Sequence, residues 1–272
     1  MYKNKLYLIE NKTSLHVGSG DANFGIIDKE IQRDAITKYP TIHSSSLKGA
    51  IREYCTHKHN PADGEKFISY IFGDEENSGK VRFIDAHLLS VPMRSDTEPY
   101  YHCFSPKSIA QLLDFADTFS VELENREALS KLAKYKGDDI LVKEGTPIIE
   151  DEQAKADSSF DLSALEALAD GSVALVPNGL YEELLKNLPV IARNQLENGE
   201  SKNLFYEEVL PRKSKLFTVI SEPTYLNKDD ETRLENAFDR FGDYLADKDT
   251  IHIGANASIG YGVCTFTELG HE

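Results

Sequence analysis

The spacing of apolar residues in the first sixty positions predicts a strand, a turn and then an amphipathic helix. Two short apolar runs, Leu6–Ile9 and Leu15–Val17, are typical of strand segments. Glycines at positions 18 and 20 predict a turn after them, because glycine adopts the positive φ that such turns need. Apolar residues then recur at helical spacing: Leu47, Ala50, Ile51 and Tyr54. The serines at 44–46 precede this pattern and predict a serine N-cap for the helix.

The pattern in the middle of the chain changes from strand-like to helical. Ser105-Pro106 predicts a helix start with proline at the first helical position, followed by apolar residues on one face at 109, 112 and 113. From about Asp114 to Asp170 the sequence is acidic and predicted to be rich in helix. Its polar clusters at 150–152 and 157–159 predict a solvated, mobile insertion.

The last third of the chain predicts a hairpin, a long helix and two strands. Leu180–Leu188 is predicted as a short helix, and Asn198-Gly199 favours a tight hairpin turn. Asp229–Leu245 has apolar residues on one helical face and predicts an amphipathic helix. Ile251–Ile253 and Tyr261–Phe266 are predicted as strands on either side of a glycine-bearing loop. Strands and helices at both ends favour one α+β domain over residues 1–272, closed by its two ends.

Charged residues are unevenly distributed along the chain, and this bears on whether it can bind a nucleic acid. The net charge is -16, which by itself argues against a nucleic-acid partner. Residues 1–60, however, carry nine basic and six acidic residues, a local charge of +3, and the rest of the chain carries -19. Screening confines electrostatic effects to about 8–10 Å, so a basic face on an acidic protein is compatible with RNA binding. A soluble acidic protein without a polyanionic partner is the alternative.

Several function classes are not favoured by composition and spacing. No apolar run approaches the roughly 20 residues of a membrane span, so no membrane partner is expected. Three widely spaced cysteines suit a reducing, cytoplasmic location. Neither a phosphate-binding G-x-x-x-x-G-K-[ST] loop nor a C-x-x-C zinc motif is found.

Several sequence blocks together resemble one protein family. They are HVGSG at 16–20, Asp28, IQRD at 31–34, Pro40, SSLKGAIR at 45–52, VPMRS at 91–95, LFYEEVLP at 204–211 and the terminal Gly254 with GYG at 260–262. This combination resembles the RAMP superfamily, the RNA-binding subunits of CRISPR effector complexes. Within it, the blocks are most similar to the backbone subunits of type III-B (Cmr) complexes. The acidic region at about 114–170 has no counterpart among these blocks.

The resemblance implies a fold, partners and an activity. The implied fold is an α+β, RRM-like (ferredoxin-like) palm with an inserted helical region at about 114–170 and a thumb-like β-hairpin at about 190–210. The implied partners are guide (CRISPR) RNA, target RNA, further copies of the chain in a helical filament, and other Cmr subunits, including the large polymerase-like subunit and the small subunit. The implied activity is endoribonuclease cleavage of paired target RNA at six-nucleotide intervals, with a divalent metal ion, Mg or Mn, as cofactor. A non-cleaving RNA scaffold and the equivalent type III-A subunit are the alternatives.

The resemblance also implies catalytic residues. Asp28 matches the family's catalytic aspartate and is expected to hold the metal ion or to accept the 2′-hydroxyl proton. Without the resemblance, an aspartate capping a turn is the more common interpretation. His16 matches a histidine at a strand end and is expected to contact RNA or assist cleavage. A strand histidine hydrogen-bonded to a backbone carbonyl is an equally good interpretation.

Guide-RNA binding is expected along a track of donors. Ser44, Ser45, Ser46 and Lys48 would surround a phosphate at a helix N-terminus, and Arg52 shares a face with Lys48. An ordinary capped surface helix is the alternative. Arg33, together with Lys29, extends this track. The hairpin residues Arg193 and Lys202 are expected to contact the backbone of guide or target RNA, and a plain solvated hairpin is the alternative.

Two further groups have weaker support from the sequence. Gly254, Gly260 and Gly262 would let the backbone approach RNA closely, or they serve a tight turn in the sheet. Glu207 and Glu208 are candidates for a supporting carboxylate, although most acidic residues of this chain are expected to be solvated.

Overall fold

A computed structural model describes residues 2–20, 27–58, 61–197, 200–224, 234, 236–246 and 249–270. Within these residues there are fourteen strands and seven α-helices. The described helices are all too short or too polar to span a bilayer.

The strands follow one another along the chain in this order: β1 Tyr2–Asn11, β2 Thr41–Ile42, β3 Arg82–Phe83, β4 Ala86–Met93, β5 Tyr101–Phe104, β6 Ile140–Val142, β7 Ile148–Ile149, β8 Glu152–Ala156, β9 Val173–Leu175, β10 Val190–Glu197, β11 Glu200–Glu208, β12 Lys215–Pro223, β13 Ile251–His252 and β14 Val263–Leu269. The helices are α1 Ser44–Lys58, α2 Pro61–Phe72, α3 Pro106–Thr118, α4 Arg126–Ala133, α5 Ser163–Leu168, α6 Asn178–Leu184 and α7 Ala237–Ala246. One-turn 3₁₀ helices cover Leu185–Asn187 and Ala257–Ile259.

One large mixed sheet organises the fold. Its strand order is β13-β14-β1-β12-β4-β5-β9-β6-β8-β7, with β2 on β4 and β3 on β12. The central strands β14, β1, β12 and β4 pair antiparallel, which joins the two ends of the chain as expected for a domain closed by its termini. Only β5–β9 and β6–β8 are parallel pairs among the described strands. The α+β prediction is therefore confirmed.

Helices cover both faces of this sheet and bury two cores. On the first face, buried residues of α1, α2, α6 and α7, such as Ile51, Phe67 and Phe241, form one core with the sheet. On the second face, α3, α4 and α5 contribute a separate core that contains Leu112 and Leu129. The three cysteines are free and buried within these cores.

Local sequence determines α3 as predicted. The Ser105 hydroxyl accepts the Ser108 backbone N–H, the Ser108 hydroxyl accepts the Ser105 N–H, and Pro106 occupies the first turn. The backbone N–H groups of Ser105 and Ser108 at this buried end are thereby satisfied. The predicted helix over 180–188 and the two final strands are also present.

Three predicted elements differ in the structure. The predicted helix over 229–245 begins only at Ala237, because Asn236 takes a left-handed conformation with φ 57°; residues 229–233 and 235 lie outside the described residues. The acidic region at 114–170 contains α4 and α5 but also supplies β6, β7 and β8 to the main sheet. The serine N-cap of α1 is wrong, as described below.

Candidate nucleic-acid interface

The hairpin β10–β11 forms its own two-stranded sheet beside the main sheet. The two strands pair antiparallel, with Arg193 opposite Phe205, so these two side chains share a face. Its predicted turn, Asn198-Gly199, lies outside the described residues. The sequence-based hairpin at 190–210 is thus present, and most of its residues are exposed.

The base of this hairpin holds Asp28. Backbone N–H groups of Asp28 and Lys29 both donate to the Tyr206 carbonyl at 3.1 Å. In return, the Tyr206 N–H donates to Asp28 Oδ2 at 2.8 Å. Asp28 is exposed, and among the described residues Oδ1 has no hydrogen-bond donor. Its carboxylate is therefore oriented through one oxygen, and the other is free to accept a proton or bind a cation.

An open cleft lies between residues 28–29 and the hairpin. It has a volume of about 620 Å³ and is lined by Asp28, Lys29, Arg193, Asn194, Gln195, Asn203 and Phe205. Lys29 Nζ lies 4.3 Å from the centroid of the Phe205 ring, and the Arg193 guanidinium carbon lies 5.9 Å from it. One carboxylate, two cations, three amides and an aromatic ring thus surround a space that can admit part of an RNA strand.

His16 is buried, with 3% of its surface exposed. Its Nδ1 lies 2.7 Å from the Glu208 carbonyl, so Nδ1 carries the proton and donates. Its Nε2 lies 3.8 Å from Glu207 Oε1. The expected contact of His16 with RNA is therefore corrected: the structure favours the alternative, a strand histidine satisfied by a backbone carbonyl. In this position, His16 supports the strand that carries the Asp28 contact.

Glu207 and Glu208 are buried as well, with 1% and 3% exposure. Glu207 Oε2 accepts from Arg193 Nη1 at 3.0 Å and from Asn256 Nδ2 at 2.9 Å. These two carboxylates are therefore exceptions to the expectation that most acidic residues of the chain are solvated. Their position directly before the apolar Val209-Leu210 was the available sequence indication that β11 enters the core there.

Arg33 is bound to the second of these carboxylates. Its Nη2 pairs with Glu208 Oε1 and also donates to the Leu185 carbonyl at 3.1 Å, while Nη1 donates to the Lys38 carbonyl at 3.1 Å. Glu208 Oε2 accepts the Ile31 N–H at 3.1 Å. The prediction of Arg33 as an RNA contact is corrected accordingly, because its guanidinium serves three partners within the fold.

The N-terminus of α1 is capped by Asp85, which lies between β3 and β4. Asp85 Oδ1 accepts the Ser44 N–H at 2.7 Å, and Asp85 Oδ2 lies 3.3 Å from His43 Nδ1. Burial raises the pKa of Asp85, but the Ser44 N–H and His43 outweigh it, so the pKa lies below its usual value. Ser44 is therefore the first helical residue rather than the N-cap, and its N–H is not free for a phosphate.

The rest of the predicted phosphate site stays accessible. Ser45 and Arg52 are exposed, and Ser46 and Lys48 are half-buried. Gln32, which sequence analysis missed, joins this helix end to the turn at Gly18: its Nε2 donates to the Gly18 carbonyl at 3.2 Å and to Ser46 Oγ at 3.4 Å. A continuous series of contacts thus runs from the hairpin base through His16 and Gly18 to the start of α1.

The remaining predicted residues separate into two groups. Lys202 is exposed near the hairpin end and pairs with Glu197 at 2.7 Å. Gly254 and Gly262 have positive φ, and a Cβ would lie 2.3 Å from the His16 carbonyl oxygen and 2.1 Å from the Ile253 carbonyl oxygen, respectively. Both therefore serve the tight turn, whereas a Cβ at Gly260 would meet open space.

A metal ion would find few protein ligands here. Among the described residues, no group of three His, Cys, Asp or Glu side chains could hold a metal. Asp28 offers one carboxylate, which fits Mg²⁺, since this ion commonly binds one or two carboxylates and completes its shell with water and substrate phosphates. The donor set is therefore compatible with a metal that RNA helps to bind.

Comparison with known proteins gives matches over the whole chain. The sequence profile of the RAMP superfamily matches residues 8–265. A relative from Pyrococcus furiosus, the CRISPR system Cmr endoribonuclease Cmr4, is 26% identical over 296 aligned positions, which cover 97% of this chain and 95% of the relative.

Solved structures share the fold. The cryo-EM structure of a type III-B Cmr-beta complex bound to cognate target RNA contains a chain with a TM-score of 0.78 and 20% identity, covering 98% of this chain and 97% of that one. The crystal structure of oligomeric Cmr4 from Pyrococcus furiosus gives a TM-score of 0.74 and 22% identity, covering 98% of this chain and 99% of that one. The fold of this chain is thus shared with these structures over nearly its full length.

Proposed function

This chain belongs to the RAMP superfamily, and we propose that it is the backbone subunit of a type III-B CRISPR effector complex. In that role it binds guide RNA, stacks with further copies of itself and other Cmr subunits, and cleaves paired target RNA. The proposal is supported by the relative named as a Cmr endoribonuclease and by the solved chains from a target-bound complex and an oligomer, all matched over nearly the full chain. The chain is expected to work in a reducing cytoplasm, as the cysteine pattern predicts.

The observation that carries the cleavage activity is the placement of Asp28. The hairpin residue Tyr206 orients this exposed carboxylate at the edge of a cleft that contains cations. A hairpin that displaces a base from the heteroduplex would bring the ribose of that nucleotide beside the carboxylate. One displaced base per stacked subunit gives the expected six-nucleotide interval between cuts.

The chemistry follows from the nucleophile that RNA already contains. The 2′-oxygen attacks the adjacent phosphorus and forms an O2′–P bond, and its proton passes to Asp28. The P–O5′ bond breaks, and the departing O5′ takes a proton from water. The products are a 2′,3′-cyclic phosphate and a 5′-hydroxyl. In-line alignment of this kind supplies several kcal/mol of the barrier, and unstacking a base costs only a few kcal/mol. In the alternative role expected for Asp28, its carboxylate would hold a divalent cation, which would neutralise charge on the phosphate when bound.

Guide RNA is assigned to the start of α1. Ser45, Ser46 and Lys48 are accessible at the positive end of the helix dipole, and Arg52 lies one turn beyond Lys48 on the same face. Asp85 already occupies the Ser44 N–H, so the site binds phosphate mainly through hydroxyl and cationic groups.

The test is an Asp28→Asn variant in the assembled complex with guide RNA. Asparagine keeps an acceptor for the Tyr206 N–H but cannot take the 2′-hydroxyl proton, so single-turnover cleavage is expected to fall at least about 10²-fold. Target affinity, measured by filter binding, is expected to be unchanged. The matched control is Asp151→Asn, an exposed residue of the 114–170 region.

The scaffold alternative makes the opposite prediction. Persistence of products at six-nucleotide spacing in the Asp28→Asn complex would show that this carboxylate is not the catalyst. A type III-A subunit would instead assemble with that system's partners, which mass spectrometry of the purified complex distinguishes.

A further inference from the structure

Lys29 lies beside Asp28 in the cleft, and its charge is not neutralised by a carboxylate in the described part of the chain. Its Nζ lies over the Phe205 ring, 4.3 Å from the centroid, which is a cation–π distance. Such a contact holds the side chain in place but leaves the positive charge available to a ligand. Lys29 is exposed, so a ligand in the cleft can reach it.

The other basic residues of the hairpin region are engaged by carboxylates. Arg193 Nη1 donates to the buried Glu207 carboxylate at 3.0 Å. Lys202 pairs with Glu197 at 2.7 Å near the hairpin end. Of the two cations that line the cleft, Lys29 is therefore the better one for an anion that enters it.

The backbone fixes Lys29 relative to Asp28. The Lys29 N–H donates to the Tyr206 carbonyl at 3.1 Å, and the Lys29 carbonyl accepts the Glu208 N–H at 2.9 Å. Adjacent residues of a regular strand point to opposite faces. Asp28 lies in a bend, however, and both side chains line the same cleft. A carboxylate and an ammonium group are thus held on one short segment of the hairpin base.

We propose that Lys29 is a further catalytic residue, whose ammonium group binds a non-bridging oxygen of the scissile phosphate. This proposal rests on the proposed function, because it needs RNA cleavage at Asp28. When the O2′–P bond forms, negative charge increases on the non-bridging oxygens, and a cation already in place stabilises that charge more than the ground state. The proton of the 2′-hydroxyl passes to Asp28, the P–O5′ bond breaks, and the departing O5′ takes a proton from water.

The experiment compares Lys29→Met and Lys29→Arg in the assembled complex under single-turnover conditions with saturating target. Lys29→Met is expected to lower the cleavage rate about 30- to 100-fold, in line with the loss of one charge-stabilising donor. Target affinity is expected to change less than about threefold, and Lys29→Arg is expected to recover much of the rate. Lys131→Met removes an equal charge from an exposed position of α4, outside the cleft, and is expected to cleave at the normal rate.

Phe205→Leu tests the placement of the ammonium group while keeping its charge. It is expected to lower the rate about five- to tenfold without weakening target binding. If Lys29→Met fails to assemble, Lys29→Gln replaces it, and the same rate comparison applies.

Two results separate this proposal from the proposed function. A normal saturating rate with weaker target binding in the Lys29 variants would overturn the proposal, because Lys29 would then only bind RNA. If that occurs while Asp28→Asn abolishes cleavage, the proposed function stands and only the role of Lys29 fails. If Asp28→Asn also cleaves normally, both fail.

Discussion

Asp28 shows how single contacts from distant residues create the candidate site. Its carboxylate accepts a hydrogen bond from the N–H of Tyr206, which is 178 residues away, and its own N–H donates to the Tyr206 carbonyl. His16 is likewise fixed by a residue 192 positions away. A side chain whose partner is so remote cannot be assigned to solvent or interior from its neighbours in sequence.

Glu10 provides a test of charge burial at the residue scale. Its side chain is 10% exposed and accepts hydrogen bonds from Lys12 at 2.8 Å and Lys215 at 2.7 Å, with Lys213 at 3.0 Å. Burial alone raises the pKa of Glu10, but the three lysines outweigh it and lower the pKa to about 2. Because the folded-state pKa lies below the usual value of 4.5, Glu10 stabilises the fold above about pH 4.5. That contribution is lost as the pH falls toward 2.

We therefore expect Glu10→Gln to destabilise the chain by about 2–3 kcal/mol at pH 7, since it leaves a buried lysine without its charge partner. The difference from the unmodified chain is expected to narrow as the pH falls below about 4.5, because Glu10 then binds a proton in the unfolded chain while it stays ionised in the folded one. Urea unfolding from pH 7 to pH 3.5 measures this, with the exposed Glu152→Gln as control. A difference that stays constant over this pH range would contradict the assigned cause.

At the scale of elements, the hairpin and residues 28–29 form one hydrogen-bonded unit. Lys29 forms a parallel β-bridge with Glu207, so residues 28–29 add a short third segment to the base of the hairpin. A two-stranded hairpin is only marginally stable alone. Buried Glu207 and Glu208, which bind Asn256 and Arg33, hold its base on the main sheet domain. Any motion of the base would therefore carry Asp28 with it.

The loop between β13 and β14 gives a test at the same scale. Gly254→Ala would place a Cβ 2.3 Å from the His16 carbonyl oxygen at a φ of +86°, so both backbone strain and a clash result. We expect a loss of more than about 3 kcal/mol in the free energy of unfolding. Gly260 has a nearly equal φ of +84°, but a Cβ there would meet open space. Gly260→Ala is therefore expected to lower the free energy of unfolding by about 1 kcal/mol, from backbone strain alone.

Thermal and urea unfolding of the two glycine variants gives this comparison directly. Equal losses would show that the contact between the loop and His16 is not tight.

At the scale of the whole molecule, charge is separated between surfaces. The net charge of -16 coexists with a less acidic N-terminal region that supplies α1 and the turn at Gly18. α1 packs on the first face of the sheet and α4 on the second. An anionic strand is therefore expected to follow the first-face helix end and the hairpin rather than the molecule as a whole.

The salt dependence of guide-RNA binding tests whether the RNA contacts are confined to this surface. Lys48→Gln is expected to weaken guide-RNA binding and to reduce the slope of log K against log salt by about 1, the value for one lost phosphate contact. Lys131→Gln removes the same charge from α4 on the opposite face and is expected to leave the slope unchanged. Equal effects of the two variants in a fluorescence-anisotropy titration would exclude a localised RNA track.

Elements whose causes are local could be predicted from the amino-acid sequence alone. The Ser105-Pro106 start of α3, the apolar periodicity of α1 and the strands of the hairpin depend on residues a few positions apart, so spacing predicts them. The sequence blocks also indicated the family, because they combine residue types that backbone geometry and RNA chemistry require together.

Which charged groups are buried and which are exposed could not be predicted from the sequence, because it depends on the folded arrangement of distant strands. Glu207, Glu208 and His16 are buried. Asp85 caps the N-terminus of α1, where a serine was predicted, and Arg33 forms an ion pair with Glu208 instead of pointing into solvent. The physical reason is that an ionic group leaves water only when its partners are placed around it, and those partners come from strands far apart in the chain.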